Sequence, residues 1–99
     1  MICIERGAKY PGGKFVEVKL CINNRRIVRA YISGDFFLYP EECIEILERS
    51  LRGCCSEACI DAAIQKVSSE CVALGLEWSW LRDLVLNVWR EGFESCTNP

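Results

Sequence analysis

Apolar and polar residues alternate from Lys14 to Ile22, with Val16, Val18, Leu20 and Ile22 on one side and Glu17 and Lys19 on the other. A period of two over this length marks a strand that buries one face. Asn23-Asn24 follows, and asparagine tolerates the positive φ that a two-residue hairpin turn demands. The pattern predicts a return strand over 25–33, with Val28, Ala30 and Ile32 facing one way and Arg29 and Tyr31 the other. Residues 1–6 alternate weakly and offer a possible third strand.

Beyond Pro40 the period lengthens to that of helices. Pro40 suits a first helical position, and Glu41 and Glu42 place negative charge at the positive end of the helix dipole. Cys43, Ile44, Leu47 and Leu51 then form an apolar stripe that Gly53 can close. Ser56 can cap a second helix, whose stripe of Ile60, Ala63, Ile64, Val67 and Cys71 runs to Leu74-Gly75. Ser79 opens a third, with Leu81, Leu84, Val85, Val88 and Trp89 leading to Gly92. Strands precede helices without alternation, so the expected fold is α+β: a small antiparallel β-sheet, a hairpin plus a possible third strand, packed against about three α-helices. The 99 residues fit one domain spanning 1–99.

Composition narrows the class. Half the residues are apolar and a quarter charged, the profile of an ordinary globular chain. No stretch approaches the roughly 18 to 20 apolar residues of a membrane span, and Met1 to Arg6 lacks a signal-peptide core. A cytoplasmic location without membrane attachment is expected. The net charge of −2 hides an asymmetry: residues 1–33 carry seven Lys/Arg against two Asp/Glu, and residues 34–99 five against twelve. A basic hairpin with Lys14, Arg25, Arg26 and Arg29 raises the alternative of a small nucleic-acid-binding or protein-binding module stapled by disulfides. The acidic remainder counts against nucleic acid, because phosphate contacts dominate such affinity.

Eight cysteines and no histidine limit the chemistry. The cysteine density is near that of disulfide scaffolds, and in a cytoplasmic chain it points to the intracellular disulfides of hyperthermophiles. Sequence leaves the pairing open. Cys55 and Cys59 would share a helix face, which suits packing, a disulfide or a metal alike. No C-x-x-C pair is present, so no metal site is expected. Without a histidine base to activate a thiol, no catalytic residue is expected either. Trp78, Trp80 and Trp89 suit the core or a partner interface.

Two glycine motifs stand out. In Lys9-Tyr10-Pro11-Gly12-Gly13-Lys14 the glycines allow a sharp turn and close approach of backbone amides to an anion, between two lysines. It lacks the helix and hydroxyl residue of a phosphate-binding P-loop. Ser33-Gly34-Asp35-Phe36-Phe37-Leu38-Tyr39-Pro40 links hairpin to helix; Asp35 can bond turn amides, and the aromatics can plug the core or meet a partner.

The order K-x-P-G-G-K, strand, hairpin, G-D-F-F-L-x-P-E, helix resembles the C-terminal accessory domain of lipoate-protein ligases, over roughly residues 9–92. In that family a larger catalytic domain binds lipoate and ATP, forms lipoyl-AMP and acylates a lysine of an acceptor domain. The accessory domain is fused to it or made as a separate chain. A chain of this length that starts at methionine resembles the separate form. The resemblance implies an accessory subunit that is non-catalytic alone and binds no cofactor alone. It also implies a heterodimer with a catalytic ligase chain that uses ATP, Mg²⁺ and lipoate and serves lipoyl acceptor domains. On the same basis Lys9, Gly12, Gly13 and Lys14 face the partner or its nucleotide side, and Gly34, Asp35, Phe36 and Phe37 support the fold. The cysteines depart from the family pattern.

Overall fold

The computed structural model describes residues 1–97, with side chains up to residue 92. Strands β1 (Ile2–Tyr10), β2 (Lys14–Asn23) and β3 (Arg26–Gly34) form an antiparallel sheet in the order β1-β2-β3. The possible third strand is therefore real and longer than its weak alternation suggested. Strands β4 (Phe37–Tyr39) and β5 (Val72–Leu74) pair in a separate two-stranded antiparallel ribbon. Helices α1 (Cys43–Leu51), α2 (Glu57–Glu70) and α3 (Trp78–Thr97) complete the α+β fold.

The alternation along β2 places Val16, Val18, Leu20 and Ile22 inward, each 0% exposed. Against them pack α1 beside β3 and α3 beneath β1 and β2, with α2 bridging the two helices. Leu47, Leu51, Ile60, Ile64, Val67, Leu81, Val85 and Val88 fill the space between. A fully buried aliphatic side chain contributes about 1.5–3 kcal/mol, so this one-sided core holds the sheet flat against the helices.

The hairpin turn lies one residue later than its asparagines suggested. Asn24 and Arg25 have φ of 52° and 67°, and Asn23 pairs with Arg26. This sets Ile22 opposite Ile27, both inward. A bulge follows, since Cys21 pairs with Arg29 and leaves Val28 as the extra residue. Val28, expected inward with Ala30 and Ile32, is exposed, and Ile27 takes the core position. The outer edge of β3 is covered: Ile27 N–H donates to the Cys54 carbonyl, Gly53 N–H to the Ile27 carbonyl, and Ile32 N–H to Glu48 Oε2. This edge is closed to further strands at those points.

Helix boundaries differ where long-range pairing intervenes. Pro40, expected inside the first turn of α1, follows a cis peptide bond and precedes a turn in which Cys43 N–H donates to its carbonyl. The helix starts only at Cys43, because Tyr39 is committed to β4. α2 stops at Glu70 instead of reaching Gly75, because residues 72–74 are drawn into β5. Gly92 does not end α3; it lies buried within it, where a Cβ would collide with Ile22 Cδ1.

Among the described residues three disulfides join Cys3 to Cys21, Cys43 to Cys71 and Cys54 to Cys59. The first links paired positions of β1 and β2. The other two staple α1 and α2 at both ends, so these helices run antiparallel. Cys55 is exposed and free. It cannot share a helix face with Cys59, because the helix begins after Ser56, whose Oγ caps the Cys59 N–H at 3.2 Å. Cys96 lies outside the described side chains.

Arg90 on α3 makes two hydrogen bonds to Glu57 at the start of α2, at 2.7 and 2.9 Å. These hydrogen bonds, the largest influence, outweigh desolvation with the help of the guanidinium charge and hold the Glu57 carboxyl below the usual carboxylate range. A depressed folded pKa means the pair stabilises fully above the unfolded value, and that contribution disappears as pH falls through the folded one. Glu57→Gln should therefore flatten part of the loss of melting temperature between about pH 5 and pH 2. Thermal scans of both proteins across that window check this, and superimposable curves would refute it.

Candidate functional site

The first glycine motif forms the hairpin between β1 and β2. Tyr10 pairs with Lys14, Gly12 and Gly13 have φ of 105° and 89°, and Gly13 N–H donates to the Tyr10 carbonyl at 3.0 Å. A Cβ at either glycine would meet nothing within 4 Å. The glycines thus serve the turn's conformation, and the tip stands open.

The two lysines of the motif are separated by the pleat. Lys9 pairs with Phe15, one step out of phase with the Tyr10–Lys14 pair, so they leave opposite faces of the hairpin. On the Lys14 side, Tyr10 packs edge-on against Trp80 with ring centroids 5.1 Å apart. Lys14 Nζ sits only 3.1 Å from the position a Cβ on Gly75 would occupy. Lys14 therefore reaches the end of β5, while Lys9 remains exposed on the other side.

The second motif is bonded to the first. Asp35 N–H donates to the Phe15 carbonyl at 2.8 Å, and Asp35 Oδ2 accepts from Phe15 N–H at 3.1 Å. Phe15 follows Lys14 directly, so Asp35 fixes the root of the glycine hairpin. Gly34 has φ of 149°, and a Cβ there would collide with the Phe15 carbonyl and lie 2.8 Å from Val16 Cα. Phe36 is buried at 7% exposure and supplies the core plug, whereas Phe37 is 73% exposed. Phe37 thus joins β4 through its backbone and offers its ring to the outside.

Its neighbours do the same. In the ribbon Phe37 pairs with Leu74 and Tyr39 with Val72, and these four residues form its outward face. Tyr39, Val72 and Leu74 are 66%, 58% and 55% exposed, while Leu38 between them is buried. Beside the ribbon a cleft of about 250 Å³ is lined by Ile32, Phe36, Phe37, Leu38, Glu41 and Ile44, among others. The sequence offered Tyr39 only as one of the aromatics that could plug the core or meet a partner, and did not single out Val72 or Leu74 as a surface. Their signal was a period of two, apolar-out at Phe37 and Tyr39 and again at Val72 and Leu74, hidden inside segments read as loop and helix.

The basic residues of the nucleic-acid alternative are dispersed. Lys14 starts β2, whereas Arg25 and Arg26 lie at its far end, and Arg26 donates to the Gly53 carbonyl. Arg29 lines a groove of about 550 Å³ with Arg49, Arg52, Glu45 and Glu48, where acid and base alternate. Among the described residues no group of three or more His, Cys, Asp or Glu is placed to hold a metal ion, and no helix is long and apolar enough to cross a membrane.

No protein-family model matches the chain. It is 47% identical to the lipoate-protein ligase A subunit 2 of Thermoplasma acidophilum over 38 residues, 38% of this chain and 40% of that protein. The match therefore spans less than half of that relative's length. The likeness broadens in three dimensions. One chain of a solved archaeal lipoylation system, a bi-partite lipoate protein ligase and its E2 lipoyl domain from Thermoplasma acidophilum, superposes with a TM-score of 0.69 at 31% identity. That superposition covers 78% of this chain and 86% of the other.

Proposed function

Because the chain belongs to the family of small second subunits of two-chain lipoate-protein ligases, we propose that it is the accessory subunit of such a ligase and works as a heterodimer with a separate catalytic chain. The observation that carries this reading is the superposition over most of both chains at 31% identity. The complex activates lipoate with ATP and Mg²⁺ to lipoyl-AMP and passes the lipoyl group to a lysine of an acceptor domain. Binding of ATP, Mg²⁺ and lipoate belongs to the partner, and this chain contributes position. A cytoplasmic setting goes with this reading, and three disulfides there fit the oxidised interiors of hyperthermophiles.

In this proposal the hairpin tip of Gly12 and Gly13, with Lys9 and Lys14 at its roots, faces the partner's nucleotide side. Asp35 and Gly34 hold that tip in place through Phe15, and Phe36 anchors them in the core. A small domain closing over a nucleotide site excludes water and completes the catalytic geometry. The cation at Lys14 is placed on the same side as the ribbon, where it can meet developing negative charge.

The test combines this chain, the catalytic chain and both together with ATP, Mg²⁺ and lipoate, and measures pyrophosphate release and lipoylation of an acceptor domain. Activity should require both chains; full activity of the catalytic chain alone would sink the reading. Lys14→Ala should lower the adenylation rate of the complex by about tenfold or more without lowering the melting temperature of this chain. An unchanged rate would remove Lys14 from the nucleotide side.

A further inference from the structure

Among the described residues, the outward face of the β4–β5 ribbon stands exposed. Four large apolar side chains, Phe37, Tyr39, Val72 and Leu74, stand side by side on it at 55% to 73% exposure. Single exposed apolar residues are ordinary, but a contiguous cluster on one face marks an interaction surface. The alternation sharpens the point. Leu38 is turned into the core, and the positions between strand partners that would be polar on a solvated ribbon are aromatic or aliphatic instead.

We propose that this ribbon face is the hydrophobic centre of the interface with the catalytic ligase chain, with Lys14 at its rim and the adjoining cleft receiving an apolar side chain of that chain. The proposal rests on the reading of the chain as an accessory subunit, and it specifies which surface does the docking. Two aromatics and two aliphatics have the composition of an interface core, which is depleted of charge and rich in Phe and Tyr. The cleft beside Phe37, with Ile32, Phe36, Leu38 and Ile44 in its walls, is the kind of pocket in which an anchoring side chain contributes most. The solved relative that superposes on this chain belongs to a bi-partite ligase, so the occupant is the other ligase chain, and a second copy of this chain is the alternative that the experiment separates from it. Lys14 Nζ lies against Gly75, next to Leu74. The same lysine makes the patch continuous with the glycine hairpin, so the surface that docks and the loop that faces the nucleotide side belong to one side of the molecule.

The experiment measures affinity of the full chain for the catalytic chain by calorimetry, for the wild type, Phe37→Asp, Leu74→Asp and the control Tyr31→Asp. Tyr31 is 47% exposed on the opposite face of the three-stranded sheet. Phe37→Asp and Leu74→Asp should each weaken binding by roughly 30-fold or more with melting temperatures close to the wild type, and Tyr31→Asp should bind as the wild type does. Phe37→Ala, which adds no charge, should weaken binding in the same direction. If the wild type binds and both ribbon variants bind within about threefold of it, the ribbon is not the interface, and the accessory-subunit reading stands without it. If the wild type does not bind at all, that reading falls and this proposal with it. Self-association of the wild type that Phe37→Asp abolishes, with partner binding unchanged, would assign the face to a second copy and overturn the proposal.

Discussion

Replacing Cys43 and Cys71 together by alanine should cost about 3 kcal/mol of stability and lower the melting temperature by roughly 15 °C. The cross-link spans 28 residues, and closing a loop of that length removes much of the entropy of the unfolded chain. Both half-cystines are buried, Cys43 at 2% and Cys71 at 7% exposure, so the substitution also removes packed sulfur from the core. Breaking Cys54–Cys59, which spans only 5 residues, should cost about 2 kcal/mol on the same entropic argument. The larger link also bears on the proposed docking surface. Cys71 immediately precedes β5, and Cys43 begins the helix that follows β4, so this disulfide clamps the base of the apolar ribbon. The double alanine variant should therefore bind the catalytic chain more weakly even at temperatures where it remains folded. Thermal unfolding with and without reductant is the measurement. Peptide mapping after alkylation under denaturing, non-reducing conditions is its companion: Cys55 should be labelled and Cys43 and Cys71 should not. Labelling of both, or a melting temperature within a few degrees of the wild type, would overturn the expectation.

Gly34→Ala should be comparably damaging, at about 2–4 kcal/mol, although it adds a single methyl group. Two costs coincide there. The backbone is at φ 149°, which side-chain-bearing residues rarely adopt, and the added carbon would run into the backbone of Phe15 and Val16. Backbone cannot rotate out of the way as a side chain can, so either β3 shifts from β2 or the bonds between Asp35 and Phe15 break. Gly12→Ala and Gly13→Ala provide the contrast. Their φ values are also positive, but the space around them is empty, so each should cost about 1 kcal/mol or slightly more. Urea titrations of the three variants give the comparison directly. Equal losses at Gly34 and Gly12 would show that steric contact with β2 is not the deciding effect.

The two glycine motifs illustrate how far local patterns reach. From sequence they are a turn and a junction, and both descriptions hold in the structure. Their union was not readable, because the bonds between Asp35 and Phe15 join residues twenty apart, which no period along the chain encodes. The aromatic run behaved similarly. Alternation states that Phe36 and Phe37 face opposite ways, but which one is buried depends on where the sheet and α1 lie. The cysteines show a sharper version of the same limit, since their number suggested disulfides while their pairing required the ends of α1 and α2 to be placed in space.

What the sequence determined by itself was the one-sided β2, the hairpin with β3, the apolar stripes of three helices and hence the α+β class, because burial periodicity is written locally in residue spacing. The tertiary structure alone decided the β4–β5 ribbon. Residues 72–74 continue an acceptable helical stripe, and only the presence of β4 opposite them, 37 positions earlier for Phe37 and Leu74, supplies the hydrogen bonds that make them a strand. An isolated three-residue strand has no stability of its own, so its conformation follows from its partner. The surface proposed for docking thus arises where local preference was weakest and long-range pairing made the choice.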